Sequence, residues 1–413
     1  MKRPAVCGWR RVLRFLAGLG VTLALGTGLA AAAGVQPARA DAKPDPDALL
    51  DEVLHDLAEE RLHAALGKAD SLVRLYPNFR LGHLLRGDLL RMQSGVVDRL
   101  GAVPGAADRK LEELRAEAAA RVAALRERPD SVLVPRPVLQ LRDDQKQVLV
   151  VDTRRSRLYV YGNRGGNRGG DLELVDDYYI SHGKSGVDKR HEGDSKTPLG
   201  VYYITGRLEG EKLPDFYGPL ALPISYPNAW DRLHGRGGSG IWLHGTPPDS
   251  YSRPPLASEG CVVLSNRDLD RLAASVEVGK TPVVISDGVE FISRADAAAQ
   301  RALARSLVER WREDFASEDG RLLRAHYSPR FRSARGDRID AWLKRPRERA
   351  GAGMRDLSLF FYPGREETIV ATFTLEAPAG DSQRSGRRRQ YWEKEDGQWK
   401  IVSESTWPVA RDP

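Results

Sequence analysis

The chain has 413 residues, with 64 Lys and Arg against 57 Asp and Glu, a formal net charge of +7. Residues 1–40 hold six of those cations (Lys2, Arg3, Arg10, Arg11, Arg14 and Arg39) and no acid, so the remainder carries about 7 − 6 = +1, which removes the electrostatic case for nucleic acid as a main partner. The aliphatic content is ample for packed cores and the only cysteines are Cys7 and Cys261, so nothing points to a disulfide framework.

The basic amino terminus runs into an uncharged apolar stretch, Phe15–Ala33, and then small residues at Ala38-Arg39-Ala40. That order reads as a signal peptide over residues 1–40, cleaved on export; the rival reading is an uncleaved membrane anchor. No other segment is long and apolar enough to cross a bilayer. The roughly 370 residues that follow imply two or three domains. Beyond the Pro/Asp-rich linker Asp41–Asp47, residues 41–130 turn helical, with Leu49, Leu50, Val53, Leu54 and Leu57 at 3.6-type spacing. The stretch from Ala64 to Leu90 resembles one tetratricopeptide-style helix pair, too few repeats for a solenoid, and Leu111–Arg126 is another amphipathic helix. This all-α segment reads either as a packing module, with a homodimer formed through it, or as a spacer.

Pro129–Pro137 marks a boundary, and β-character follows. Strands are expected at Gln147–Val151, Arg157–Tyr161, Leu174–Ile180, Val201–Thr205, Gly240–His244, Cys261–Leu264 and Thr281–Ser286. One helix, Leu269–Val276, interrupts them after a capping-box variant at Ser265–Asp268. The Gly-rich loop Gly162–Gly170 is a poor dinucleotide fingerprint, because no helical pattern follows it. Strand after strand with one short helix argues a β-rich sandwich or barrel over residues 145–290. Residues 294–408 then open on one long amphipathic helix, Ala295–Phe315, and a short one at Ile339–Lys344. Strands at Met354–Tyr362, Glu367–Glu376, Arg387–Lys394 and Trp399–Glu404 follow, an α+β order with a tight turn at Glu395–Gln398. The basic run Arg387-Arg388-Arg389 reads as a solvated strand edge or loop.

With the leader gone, Cys261 is a lone thiol: a buried apolar filler, an intermolecular link or a reactive group. It stands seventeen residues after His244 (261 − 244), which ends the apolar strand Ile241-Trp242-Leu243. A thiol is a few per cent thiolate at neutral pH, so a nucleophilic cysteine needs a base, and His244 is the best candidate. Gly245 leaves its carbonyl accessible to fix the imidazole tautomer, and the Pro/Ser-rich connection is suited to fold back as a lid. Gly260 lets a substrate carbonyl approach, with the amides around Gly260-Cys261 as an oxyanion hole. The chemistry is then acyl transfer through a thioester. An inert buried cysteine with an unrelated histidine is the competing reading.

His244-Gly245-Thr246 followed by Ser258-x-Gly260-Cys261-x-x-Leu264-x-Asn266 resembles the signature of the L,D-transpeptidase (YkuD) catalytic domain. Lys196-Thr197-Pro198-Leu199-Gly200-Val201-Tyr202 and Ile180-Ser181-His182-Gly183-Lys184 resemble two upstream motifs of that family, in order, over about residues 146–287. The resemblance implies a periplasmic enzyme acting on peptidoglycan stem peptides, with a second stem peptide or an acceptor protein as partner. It implies Cys261 as nucleophile, His244 as base and acid oriented by Gly245, Ser258 lining the site, and no metal or organic cofactor. Where this chain has Glu259 and Val263, the commonest family form has His and Arg. The lost cation leaves a substrate carboxylate to Arg253, Lys196, Lys184, Lys189 or Arg190. His182, His191 and His234 fit no zinc spacing. Tyr202 and Tyr217 are weighed as substrate contacts against plain packing. The stretch Gln390-Tyr391-Trp392-Glu393 with Gly397-Gln398-Trp399-Lys400-Ile401 resembles nuclear-transport-factor-2-like domains, which implies a cone-shaped α+β fold. That domain pairing is similar to L,D-carboxypeptidases, which use water as acceptor. Its aromatics Trp342, Tyr362, Tyr391, Trp392 and Trp399 either line a pocket or form core. The outcomes left open are transpeptidase, carboxypeptidase or amidase, and a non-catalytic wall-binding scaffold.

Overall fold

The computed structural model describes residues 43–95, 97, 99–101, 108–165, 171–317, 319–344, 353–364, 367–376 and 386–408. Residues 1–40, read above as a signal peptide, and the part of the Gly-rich loop at residues 166–170 lie outside the described residues. No described helix is long and apolar enough to cross a membrane. The chain divides into two units: one runs to Arg126 and adds Asp249–Pro254, the other takes Glu127–Pro248 and everything from Pro255.

The first unit is helical: α1 (Pro46–Ala58), α2 (Leu62–Leu75), α3 (Arg80–Met92) and α4 (Asp108–Arg126). Pro46 opens α1 behind Asp45, whose carboxylate accepts the amides of Asp47 and Ala48, the usual way to satisfy orphan donors at a helix start. The 3.6 spacing brings Leu50, Val53 and Leu57 together with Ala65, Ala69, Leu72, Leu81, Leu85 and Leu89 in one core, and Tyr251 packs against it.

In the second unit two short strands precede the expected sheet: β1 (Leu133–Pro135) and β2 (Val138–Gln140). Then come β3 (Gln147–Asp152), β4 (Arg157–Asn163), β5 (Leu172–Tyr179), β6 (His182–Gly183), β7 (Gly200–Tyr203), β8 (Leu208–Glu209) and β9 (Leu220–Pro223). After helix α5 (Ala229–Leu233) follow β10 (Trp242–His244), β11 (Leu256–Ser258), β12 (Val262–Val263), α6 (Asn266–Ala273), β13 (Pro282–Ser286) and β14 (Phe291–Ser293). Five strands, in the order β5-β4-β3-β13-β7, form one sheet, and β12-β10-β9-β8 form another. Leu149, Val151, Leu158, Ile285, Leu222, Leu243, Val262 and Leu264 fill the core of this sandwich. Val148 and Val150, on the alternate positions of β3, enter a second core with Trp230, Tyr362 and Tyr391. Both faces of β3 are therefore buried, which accounts for its unbroken apolar run.

The remaining elements are α7 (Arg294–Ala316), α8 (Gly320–Ala325), β15 (Tyr327–Ser333), α9 (Ile339–Leu343), β16 (Met354–Phe361), β17 (Thr368–Leu375), β18 (Gly386–Glu395) and β19 (Gln398–Pro408). Their sheet has the order β15-β19-β18-β17-β16-β2, so β2, from before the central domain, supplies its last strand. β1 pairs antiparallel with β14, Leu133 opposite Ser293. The Pro-rich boundary is thus partly built into sheets. Its strands are three residues each, too short to show a period, so the sequence reading had no signal for them. The turn Glu395–Gln398 is the tight hairpin expected, with positive φ at Asp396 (48°) and Gly397 (80°).

The central and C-terminal domains meet at a packed seam. Trp230 stacks on Tyr391 with centroids 4.3 Å apart, and the Tyr362 hydroxyl donates to Leu199 O at 3.2 Å. Tyr202 and Tyr362 both reach the buried carboxylate of Asp231, so Tyr202, Tyr362 and Tyr391 are packing residues here. The basic run departs from its reading as a solvated edge. β18 is an interior strand, and Arg387, Arg388 and Arg389 are all buried. Arg388 pairs with Glu404 at 2.5 Å and lies over the Phe315 ring, while Arg389 donates to Thr372 and lies against Tyr203 and Trp407. A carboxylate and flat rings compensate guanidinium burial, a partner set invisible in the local sequence.

Trp311 is fully buried, stacked on Phe315 and tilted against Phe373, with its indole N–H donated to Tyr327. Trp311→Ala is expected to destabilise the C-terminal domain by about 3–5 kcal/mol, read from that domain's transition in chemical denaturation.

Candidate functional site

β10 and β12 run parallel and adjacent, with Leu243 opposite Val262 and His244 opposite Val263. Cys261 stands immediately before β12, and its thiol donates to Gly240 O, just ahead of β10, at 3.4 Å. Both side chains are largely buried: His244 is 1 % exposed and Cys261 9 %. Leu264 N–H donates to His244 O at 2.9 Å, which fixes the register from the other side of the pair.

The imidazole Nδ1 lies 2.7 Å from Gly245 O. A carbonyl only accepts, so Nδ1 is the protonated nitrogen, and in the neutral ring Nε2 keeps its lone pair. Gly245 is itself held. Its amide donates to Tyr217 O at 2.9 Å, and a Cβ there would fall on Asn266 Oδ1, which accepts the Thr246 amide at 2.8 Å. Asn266, the last residue of the long motif, is thus the brace for the His-Gly-Thr turn. Tyr217 stands edge-on to the His244 ring at 5.0 Å and Phe216 lies at 6.0 Å, with Trp242 against Tyr217. Phe216 and Trp242 gave no sequence signal, because a turn aromatic has no period that separates it from core.

The cysteine turn is stitched by its own side chains and by two upstream motifs. Ser258 Oγ donates to Cys261 O at 2.6 Å and accepts the Gly260 amide at 3.1 Å. Ser258 is buried at 3 % exposure, so it braces the turn, and the Gly260 amide expected in an oxyanion hole is occupied by that hydroxyl. Gly260 has φ +123°, and a Cβ on it would lie 2.6 Å from Lys196 O. Thr197 Oγ1 donates to Gly260 O and accepts the Gly183 amide, both at 2.9 Å. Residues 181–184 clasp the two limbs of the turn. Ser181 pairs with Val263, while β6 runs parallel to β11 with His182 opposite Leu256 and Gly183 opposite Ser258.

The candidate anion-binding cations are mostly committed. Lys184 pairs with Glu259 at 2.5 Å, and Glu259 also accepts Ser195 Oγ. Those two hydrogen bonds hold the Glu259 carboxyl below its ordinary range. Lys189 is buried against Asp194 at 2.8 Å, and Arg190 pairs with Asp188 at 2.8 Å. Burial opposes the charge on Asp194, but Lys189 and the amides of Arg190, His191 and Lys196 outweigh it and keep that carboxyl well below the ordinary range. Lys196 keeps its backbone against Gly260 and donates its amide to Asp194, while its ammonium shows no ion pair among the described residues. Arg253 belongs to the segment grouped with the helical unit. The His191 and His234 rings bond locally, to Glu192 O and Trp230 O. Among the described residues no cluster of three or more His, Cys, Asp or Glu is placed to hold a metal ion.

Residues 146–285 match the L,D-transpeptidase catalytic domain family, YkuD, and residues 303–405 match the Cds6 C-terminal NTF2-like domain. Over 105 residues the chain is 30 % identical to the protein named "Putative L,D-transpeptidase YafK" of Escherichia coli K12. That match takes in 25 % of this chain and 38 % of YafK, so the chain spans well under half the length of the curated relatives it matches. The structure of Bd1075 from Bdellovibrio bacteriovorus superposes with a TM-score of 0.56 at 27 % identity, covering 67 % of this chain and 99 % of that one. The helical cell shape determining protein Pgp2 from Campylobacter jejuni superposes at 0.54 with 22 % identity, covering 65 % and 95 %, a likeness of fold.

Two expected outcomes follow from the geometry. Gly260→Ala forces a side chain into the Lys196 carbonyl at a positive φ and displaces the thiol, so the rate of Cys261 acylation by a carbapenem should fall by about 10²-fold and the thermal midpoint should drop as well; stopped-flow acylation and a thermal melt read the two. Burial lowers His182 to about 4, against one hydrogen bond to the Thr153 backbone, so the folded state holds it neutral. Its contribution to stability is present above the unfolded value of 6.5 and is lost as pH falls through about 4. Thermal midpoints measured from pH 7 to pH 4 should drop more for wild type than for His182→Gln.

Proposed function

From an L,D-transpeptidase catalytic domain over residues 146–285 and an NTF2-like domain over residues 303–405, we propose that this protein is a periplasmic enzyme performing cysteine-dependent acyl transfer on peptidoglycan stem peptides. The reading is carried by one observation: His244, its Nδ1 tied to Gly245 O, lies opposite the residue two beyond Cys261 on a paired strand. The substrate class comes from the family, and the export assignment from the leader-like residues 1–40.

In the proposed cycle Nε2 of His244 takes the thiol proton, and the Cys261 sulfur attacks the carbonyl joining the third-position diamino acid to the terminal D-alanine. The S–C bond forms, the C–N bond breaks, and the imidazolium returns its proton to the departing amine of D-alanine. An acceptor amine or water then gives a proton to His244 and attacks the thioester, and the released thiolate is reprotonated by the same ring. An amine acceptor makes a cross-link or a protein attachment; water leaves a shortened stem. The buried ring tied through Nδ1 supports His244 in both proton transfers, since only one nitrogen is then available to exchange a proton.

Purified protein incubated with disaccharide-tetrapeptide should yield a cross-linked dimer or a tripeptide by mass, the product identifying the acceptor. Cys261→Ala and His244→Ala should each lower product formation by at least ~10²-fold while circular dichroism stays unchanged. Near-wild-type turnover by either variant refutes the assignment. A wild-type protein that neither turns over nor is labelled on Cys261 by a carbapenem would instead be a wall-binding scaffold.

A further inference from the structure

The basic run on β18 splits between the two faces of its sheet. Successive positions on a strand point to opposite sides, so Arg388 goes one way and Arg387 and Arg389 the other. Arg388 meets Glu404 on its side. On the opposite face Trp407 stands across from Arg387, and Thr372 across from Arg389. With Tyr203 on β7 and Arg142 ahead of β3, these four residues line a cavity at the packed seam. Its lining holds three guanidiniums and no carboxylate.

Arg389 is 8 % exposed. Its Nε donates to Thr372 Oγ1 at 3.1 Å, its guanidinium lies 5.3 Å from the Tyr203 ring and 5.4 Å from the Trp407 ring, and no carboxylate among the described residues pairs with it. Ring faces and a hydroxyl recover only part of what burial costs a cation. Arg142 pairs with Asp144 at 2.9 Å, a half-exposed carboxylate outside the lining. A second observation points the same way: the Trp407 indole N–H is buried and meets no acceptor among the described residues. Such a donor calls for an acceptor that the protein does not supply. The cavity measures about 10 Å³, room for one group of about water's size. That excludes a sugar or a phosphate ester and admits a halide or the tip of a carboxylate.

We propose that this cavity is a binding site for a small monovalent anion, held by Arg389, Arg387 and Arg142 and by the Trp407 indole N–H. The anion supplies the counter-charge that the lining lacks, and it fastens β18 and β19 to β7, because both sides of the seam contribute to its shell. The lining shares no residue with the Cys261 and His244 turns, so the site stands or falls apart from the catalytic reading.

The test follows thermal midpoints of the full chain while sodium chloride or sodium acetate replaces sodium gluconate, which is too bulky for the cavity, at constant ionic strength. The wild-type midpoint should rise by about 2–4 °C and saturate with at least one of the two anions, the effective one naming the ligand as halide or carboxylate. No saturable rise with either, the behaviour of a cavity that takes only water, overturns the proposal. In Arg389→Gln the half-saturating concentration should increase about tenfold, and an unchanged value overturns the site. Should that variant fail to fold, Trp407→Phe keeps the ring and drops the N–H donor; it should raise the same concentration about threefold, and no rise overturns the site. Where chloride is effective, crystals soaked in sodium bromide fix the place. An anomalous peak between Arg389 and Trp407 supports the proposal, and peaks found only elsewhere overturn it.

Discussion

The site depends on one parallel strand pairing, His244 beside Val263. Parallel neighbours cannot be joined by a tight turn; the chain must cross over, which takes a dozen or more residues. The seventeen-residue spacing between His244 and Cys261 is therefore a geometric requirement of the sheet. In most parallel pairs a helix makes the crossover. Here an irregular loop does, and its backbone donors and acceptors must find partners elsewhere. β11 takes them from β6, Ser258 closes the turn on itself, and Thr197 ties the turn to the strand before it.

Those braces bring four separated motifs together around one thiol. Ser181 to Lys184, Thr197, His244 to Thr246, and Ser258 to Asn266 share one hydrogen-bonded unit, in which each side chain holds another's backbone. Substituting a brace leaves a buried donor or acceptor unmet, at about 1–3 kcal/mol each. The two glycines are steric counterparts of the same constraint, since Gly245 and Gly260 stand where a side chain would strike Asn266 and Lys196.

Much of this was legible in the sequence, for reasons that differ by element. Long strands with both faces buried, such as β3, announce themselves as apolar runs, and α7 announces itself by period. Cys261 and His244 were legible because a lone thiol, a strand-end histidine and a glycine form a chemical pattern. What escaped was whatever depends on partners distant in sequence. The three-residue strands β1 and β2 carry too little pattern to find. Arg387 to Arg389 looked solvated, because Glu404 and the Phe315 and Tyr203 rings that receive Arg388 and Arg389 are remote in the sequence. Ser258 looked like a residue facing substrate, and only the turn's geometry shows it facing inward.

The charge pattern at the rim bears on recognition. Glu259 sets a carboxylate two residues from Cys261, yet Lys184, seventy-five positions away in sequence, neutralises it at 2.5 Å. Both partners are more than half exposed, so the pair contributes at most about 1 kcal/mol of stability; its consequence is electrostatic. It cancels a negative charge that would oppose thiolate formation, and in doing so removes Lys184 from the cations able to meet an anionic substrate. Lys189 and Arg190 are removed the same way by Asp194 and Asp188. A rim balanced like this selects little by net charge. Beside the histidine stands an aromatic wall of Phe216, Tyr217 and Trp242, flat apolar surface on which net charge has little hold.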